Sequence, residues 1–318
     1  MAFATTSVAA VLIAMSGSDF LSSADITAEQ TAALLQLATQ LKQGDRRIDL
    51  GNRVLGLIFT KASTRTRVSF QVAMARLGGQ TVDLNPQVTQ LGRGEPLEDT
   101  ARVLSRFCDA LAIRTFAQQE LADYAHWASI PVINALTDLE HPCQALADFL
   151  TMQEAFGDLQ GQTLAYVGDG NNVAHSLMLF GALLGVNVRI GCPEGFEPLP
   201  GVVDQARSLA VNGAQISVIT DPVEAVRGAQ ALYTDVWASM GQEQEQAERE
   251  RAFQGFCLNE ELLAEADPRA IVLHCLPAHR GEEISAGVME GPSSRIFDQA
   301  ENRLHAQQSL LAALLGGL

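Results

Sequence analysis

At 318 residues the chain exceeds what a single hydrophobic core usually serves, so two domains are expected, and 47% hydrophobic with 18% charged residues is ordinary globular composition. Its 21 basic and 37 acidic side chains give a net charge of −16, which argues against nucleic acid or an anionic membrane as a partner. The five cysteines are odd in number and form no CxxC pair, which argues against a disulfide framework or structural zinc and favours a reducing, cytoplasmic setting.

The opening stretch, MAFATTSVAAVLIAMSGS, has the apolarity of a signal peptide but no basic n-region and only a short apolar core. A frayed N-terminal extension is the expectation. Helical spacing predicts a first helix from about Thr27 to Lys42. Val54–Phe59 reads as a buried strand, and Phe70, Ala73, Met74 and Leu77 mark one face of the next helix, stopped at Gly78 and Gly79. Ser63 and Thr64 stand at its N-cap, where acidic residues normally follow because the macrodipole is positive. This helix start carries Lys61, Arg65 and Arg67 instead, a broken local rule that a bound phosphate would repair. The alternative is a solvated basic turn paired with carboxylates. Arg65 and Arg67 point to different sides of a helix, so Arg65 is expected to face the anion and Arg67 to make a structural ion pair.

Further strands are predicted at Gln80–Leu84, Ala110–Ile113 (ending at Arg114), Pro131–Asn134, in TLAYV, at Gln215–Ile219, Ala231–Thr234 and Ala270–His274. Helices are predicted from Pro96, over Gln118–Ala128, from Pro142, and over about Phe297–Leu315. His141 is placed at an N-cap with Gln144 on the following turn, and the acidic GQEQEQAERER reads as a solvated helix. Strands alternating with helices predict an α/β fold of two parallel-sheet domains flanked by helices.

Arg114, His141, Asp235 and Cys275 all fall just after predicted strands, where open α/β sheets bind ligands. Singly, each has a plain reading: a surface ion pair, a helix cap, a turn residue, a small buried hydrophobe. His279 and Arg280 are expected to hold the loop after Cys275 through ion pairs. His274 and His279 find no third ligand at a suitable spacing, so no metal is expected. Gly168-Asp169-Gly170 sits where a dinucleotide fingerprint would, but its third glycine position is Val173, so no nicotinamide cofactor is expected. Asn172, at a helix start, suits a small polar ligand better.

STRTR at Ser63–Arg67, HPCQ at His141–Gln144, DVWASMG at Asp235–Gly241 and HCLPAHRG at His274–Gly281 together resemble the aspartate/ornithine carbamoyltransferase family, and the SMG and HCLP forms resemble its ornithine-using branch. The resemblance runs from about Phe20 to the last helix. It implies a carbamoyl phosphate domain at 1–140, with the C-terminal helix of about 297–318 packing back on it, and an ornithine domain at 141–296, joined by two interdomain helices. It implies that Ser63, Thr64, Arg65, Thr66, Arg114, His141, Gln144 and Arg303 hold carbamoyl phosphate, joined by Gln90 from a neighbouring subunit of a homotrimer with shared sites. Asn172, Asp235, Ser239 and Met240 would hold L-ornithine, with Cys275 and the Leu276 backbone where the substrates meet.

The reaction so implied carries the carbamoyl group to the side-chain amine of ornithine, giving citrulline and phosphate without a cofactor, in arginine biosynthesis. Thr66, Arg114 and His141 would donate to the oxyanion, and Asp235 with Cys275 would orient the amine without a covalent thioester. Closure of the domains, with movement of the Ser239–Gly241 loop, is expected. A sister carbamoyltransferase using putrescine or acetylornithine, a nicotinamide dehydrogenase and a non-catalytic sensor are the rival readings.

Overall fold

The computed structural model describes residues 8–85, 94–238 and 246–318. Gln90, Ser239 and Met240 lie outside them. The chain divides into two units, Met1–Leu146 with Arg303–Leu318, and Ala147–Asn302.

The first unit runs α1 (Val8–Ile13), α2 (Ala28–Gln43), β1 (Val54–Phe59), α3 (Thr64–Arg76), β2 (Gln80–Leu84), α4 (Leu97–Leu104), β3 (Ala110–Arg114), α5 (Gln118–Trp127), β4 (Val132–Leu136) and the start of α6 (Pro142–Phe156). Its four strands are parallel in the order β2-β1-β3-β4. The inner strands β1 and β3 are apolar runs buried along almost their whole length, as a sheet covered on both faces requires. Thr27 caps α2 through a capping box with Gln30, and Gly44 ends it in the left-handed conformation. Pro96 proves to be the N-cap of α4 and not its first residue.

The expectation of a frayed N-terminus is overturned from Val8 onward. Leu12, Met15 and Phe20 are buried in the core, because even a short apolar stretch suffices for a brief helix and an anchor. Gly17 N–H donates to Leu314 O, and the segment then lies along the edge of β4, with Phe20 N–H donating to Val132 O and Asn134 N–H to Phe20 O.

The second unit completes α6 and continues with β5 (Thr163–Val167), α7 (Asn172–Leu184), β6 (Asn187–Gly191), α8 (Pro200–Leu209), β7 (Ile216–Ile219), α9 (Pro222–Val226), β8 (Ala231–Thr234), α10 (Gln246–Ala252), α11 (Glu260–Ala264), β9 (Ile271–His274), α12 (Ala286–Met289) and the first turns of α13 (Ile296–Leu314). Its five parallel strands run β7-β6-β5-β8-β9. Strand order reverses between β5 and β8 here, and between β1 and β3 in the first unit. Ligands of open α/β sheets gather outside the carboxyl ends of strands at such switch points. No helix among the described residues is long and apolar enough to cross a membrane.

Candidate active site

In the first unit, β1 ends beside β3, with Phe59 opposite Arg114 and Thr60 N–H donating to Arg114 O. The chain then turns into α3 through Ser63, which is extended and whose Oγ accepts the Thr66 N–H at 3.2 Å. Three cations surround this helix mouth, and they have different jobs. Lys61 is buried, ion-paired to Asp138 at 2.8 Å and seated over the Phe116 ring. Arg67 pairs with Asp83 and lies over Phe59, the structural ion pair its spacing predicted. Thr64 and Arg65 remain exposed at the mouth. The first turn of α3 holds no acidic residue, so the helix end stays positive.

Arg303 on α13 ties this mouth to α6. It is 2% exposed, and its Nη1 donates to Gln144 Oε1 at 2.6 Å while its Nη2 donates to Thr66 Oγ1 at 2.9 Å. The planar fork of a guanidinium makes this double reach possible. His141, 6% exposed, precedes α6. Burial, then the guanidiniums of Arg303, Arg114 and Arg65, hold its pKa well below the ordinary imidazole value, so it stands neutral among cations. Thr66, Arg65, Arg114, His141, Gln144 and Arg303 thus belong to one basic cluster.

In the second unit, three strand ends converge on one carboxylate. Asp235, just after β8, accepts the Cys275 thiol at 2.9 Å and the Val236 N–H at 2.8 Å on Oδ1, and Asn171 Nδ2 at 2.9 Å on Oδ2. Asn171 follows β5 and caps α7 by accepting from the Val173 and Ala174 N–H groups. Asn172 is the first residue of α7, half-buried beside it. The glycine cluster is closed by the chain itself. Gly170 N–H donates to Phe196 O, and a Cβ on Gly170 would meet Pro198 N at 2.2 Å, so the Glu197–Pro198 backbone fills the space above that glycine.

Sequence reasoning missed the supports behind these groups. Leu276 adopts the left-handed region at φ 59°, and its N–H donates to His274 Nδ1 at 2.8 Å. Nδ1 is therefore the acceptor, and the proton sits on Nε2, 3.0 Å from Glu283 Oε1, with both side chains fully buried. His279 and Arg280 do make ion pairs, with Glu282 at 3.5 Å and Glu290 at 2.6 Å, but these are exposed, and the buried anchor of the loop is His274–Glu283. Asp235, His274 and Cys275 also bring ligand-type atoms within 4.8 Å of one another, a grouping around His274 that does not include His279. Both His274 nitrogens and the Cys275 thiol are engaged in hydrogen bonds within the protein, so the arrangement is self-satisfied.

The expectation that GQEQEQAERER is solvated throughout fails at Arg249. This residue of α10 is 7% exposed, donates to Asp169 Oδ2 and Trp237 O at 2.8 Å each, and stacks over Phe196. A charge run shows which residues are polar, not which one reaches inward.

The profile of the carbamoyl phosphate-binding domain of aspartate/ornithine carbamoyltransferases matches residues 18–154, and that of the aspartate/ornithine-binding domain matches 160–314. The chain is 84% identical to an ornithine carbamoyltransferase of Prochlorococcus marinus (strain MIT 9313), over all of both chains. Among solved structures it resembles the ornithine carbamoyltransferases of Gloeobacter violaceus (57% identity, TM-score 0.86, 94% of this chain and 98% of that one) and Pyrococcus furiosus (48%, 0.91, 96% and 99%). Two consecutive domain matches, full-length kinship and the basic and acidic clusters at the strand ends lead to one conclusion: the chain belongs to the aspartate/ornithine carbamoyltransferase family.

Proposed function

We propose that the chain transfers the carbamoyl group of carbamoyl phosphate to the side-chain amine of L-ornithine, giving L-citrulline and phosphate, as a cytoplasmic step of arginine biosynthesis. The observation that carries this is the cationic cluster at the start of α3, where neutral His141 stands among Arg65, Arg114 and Arg303 in a chain of net charge −16. Such a cluster suits a dianion.

The chemistry sets three tasks. N–H groups at the start of α3 with Arg65 and Arg114 grip the phosphate and stabilise its charge as it departs. Thr66, Arg114 and His141 donate to the carbonyl oxygen as it becomes an oxyanion, each such donor contributing about 3 kcal/mol to the transition state. A neutral imidazole suits this role, since it can donate one N–H without adding a further charge to an already cationic pocket. Gln144 and Arg303 complete the carbamoyl phosphate site, with Gln90 contributed by a neighbouring subunit.

The third task is to present a neutral amine, whose pKa in water lies near 10. Asn172, Asp235, Ser239 and Met240 hold ornithine, and the Asp235–Cys275 pair with the Leu276 backbone aligns its amine. In that role the thiol positions and polarises the amine and is not a nucleophile. Homotrimer assembly is supported by Val68 and Val72 on α3 and Val82 on edge strand β2, large apolar side chains 48%, 36% and 45% exposed on the first unit.

Citrulline-type product formation, measured with ornithine, putrescine, N-acetylornithine and aspartate in parallel, tests the reading. Turnover confined to ornithine is expected. Turnover with another amine, or none with any, would overturn it. Sedimentation velocity tests the trimer.

A further inference from the structure

Glu140 immediately precedes His141 and is itself 2% exposed. A buried carboxylate needs donors, and this one takes them from the far end of the unit. Ser22 Oγ donates to its Oε1, while Ser23 N–H (3.0 Å) and Ser23 Oγ (2.6 Å) donate to its Oε2. Ser22 is itself held, since its Oγ accepts the Ala24 N–H and its N–H donates to Asp25 Oδ2 in a capping box. The turn that delivers His141 is closed by Thr137 N–H to Glu140 O (2.9 Å) and Glu140 N–H to Thr137 Oγ1 (3.2 Å). Thr137 Oγ1 donates to Gln118 Oε1, and Gln118 Nε2 returns to Leu21 O on the N-terminal segment. Asn134 Nδ2 donates to the same Leu21 oxygen at 2.8 Å. The segment 20–23 and the turn 137–140 therefore form one hydrogen-bonded body, and His141 is the next residue out of it.

We propose that Ser22, Ser23 and Glu140 form a clasp that sets the position of His141, making the N-terminal segment part of the carbamoyl phosphate site. Glu140 is a positioning residue: it acts through the backbone it anchors and touches no reacting atom. Without its carboxylate the turn keeps its own two backbone-supported bonds but loses its tie to the segment, so His141 shifts or spreads over several positions. A displacement on the order of 1 Å in a group near the chemistry costs up to roughly a hundred-fold in rate.

The proposal rests on the phosphate-site reading above, and the test separates the two. Glu140→Ala, Glu140→Gln and Ser22→Ala/Ser23→Ala are compared with wild type in full-length protein, well below the unfolding midpoint. Glu140→Ala is expected to lower kcat/KM for carbamoyl phosphate roughly ten- to a hundred-fold with the KM for ornithine unmoved. Glu140→Gln, whose amide can meet both serines, should recover most of that loss, and the serine pair should reproduce it. The imidazole proton resonances of His141, assigned with His141→Asn, should shift or broaden in Glu140→Ala and return in Glu140→Gln. If Glu140→Ala lowers only the unfolding midpoint, with kcat/KM within two-fold and the His141 signal unmoved, the clasp is structural and the proposal is wrong. If the wild-type protein transfers no carbamoyl group, the functional reading fails, and the His141 resonance still decides whether the clasp positions that ring.

Discussion

Replacing Arg303 probes the first unit's site at its most constrained point. The residue is 2% exposed, and its two terminal nitrogens serve Gln144 Oε1 and Thr66 Oγ1 at once. A lysine keeps the charge and three N–H donors, but they radiate from one atom on a shorter stem and lack the fork that spans both partners, so one buried acceptor is expected to lose its donor. An acceptor so stranded costs about 1–3 kcal/mol. Since Thr66 lies in the first turn of α3, that cost should appear in handling of carbamoyl phosphate, as roughly a 5- to 150-fold fall in kcat/KM. Methionine removes both bonds and the charge. Two charge-assisted bonds at about 1.5–3 kcal/mol each set an upper sum of about 3–6 kcal/mol, reduced by their coupling in one network.

The two variants should also differ at His141. Arg303 is one of three guanidiniums that hold its pKa down, so Arg303→Met lets that pKa rise while Arg303→Lys keeps it low. Initial rates of citrulline formation over a range of carbamoyl phosphate concentrations, calorimetry with inorganic phosphate, and proton resonances of His141 against pH measure the three effects. If a folded Arg303→Met protein kept kcat/KM within about five-fold and an unmoved His141, the assignment of Arg303 as the tie between α3 and α6 would be refuted.

Three further outcomes are expected. Cys275→Ser should lower kcat by about two orders of magnitude without abolishing turnover, since oxygen can keep the bond to Asp235, and mass spectrometry of quenched wild type should find no carbamoyl thioester; a trapped adduct would contradict this. Breaking the buried Arg249–Asp169 pair with Arg249→Met should cost about 3–5 kcal/mol in the second unit, read by denaturant melts. Because Arg249 also holds Trp237 O, two residues beyond Asp235, the KM for ornithine should rise while calorimetry shows phosphate binding intact; an unchanged ornithine KM would sink that support. The third is pH dependence. His141 is held neutral in the folded chain, whereas its unfolded pKa is about 6.5. Its contribution to stability is therefore complete above that value and is lost as pH falls below it, at about 1.4 kcal/mol per pH unit until the folded pKa is reached. Denaturant midpoints from pH 7 to pH 5 should fall more steeply in wild type than in His141→Asn, and parallel curves would exclude His141 as the source.

The strands and helices were legible because their signals are local. Val54–Phe59 and Gln80–Leu84 appear with the very bounds predicted, and Ser63 caps α3 where its hydroxyl placed it. The polar supports were not legible, because they join distant parts of the chain. Arg303 meets Thr66 across 237 residues, Ser22 meets Glu140 across 118, and Arg249 meets Asp169 across 80. No local periodicity encodes such a partner. Asn171 went unnoticed beside Asn172 for a related reason, since its bond to Asp235 spans 64 residues and only the fold reveals it. His274 was weighed as a metal ligand because its type was conspicuous, while its bond to the Leu276 N–H depends on a left-handed turn that no residue in HCLPAHRG announces.

The segment around Phe20 has a consequence beyond catalysis. β4 ends its sheet, and a terminal strand in a parallel sheet offers a row of open amides and carbonyls on which other molecules can add. Phe20 occupies that row by exchanging hydrogen bonds with Val132 and Asn134. A shortened protein beginning beyond residue 23 would bare the row, and the harm would fall on solubility during expression, as β-type aggregates seeded edge to edge, before any assay of turnover could begin.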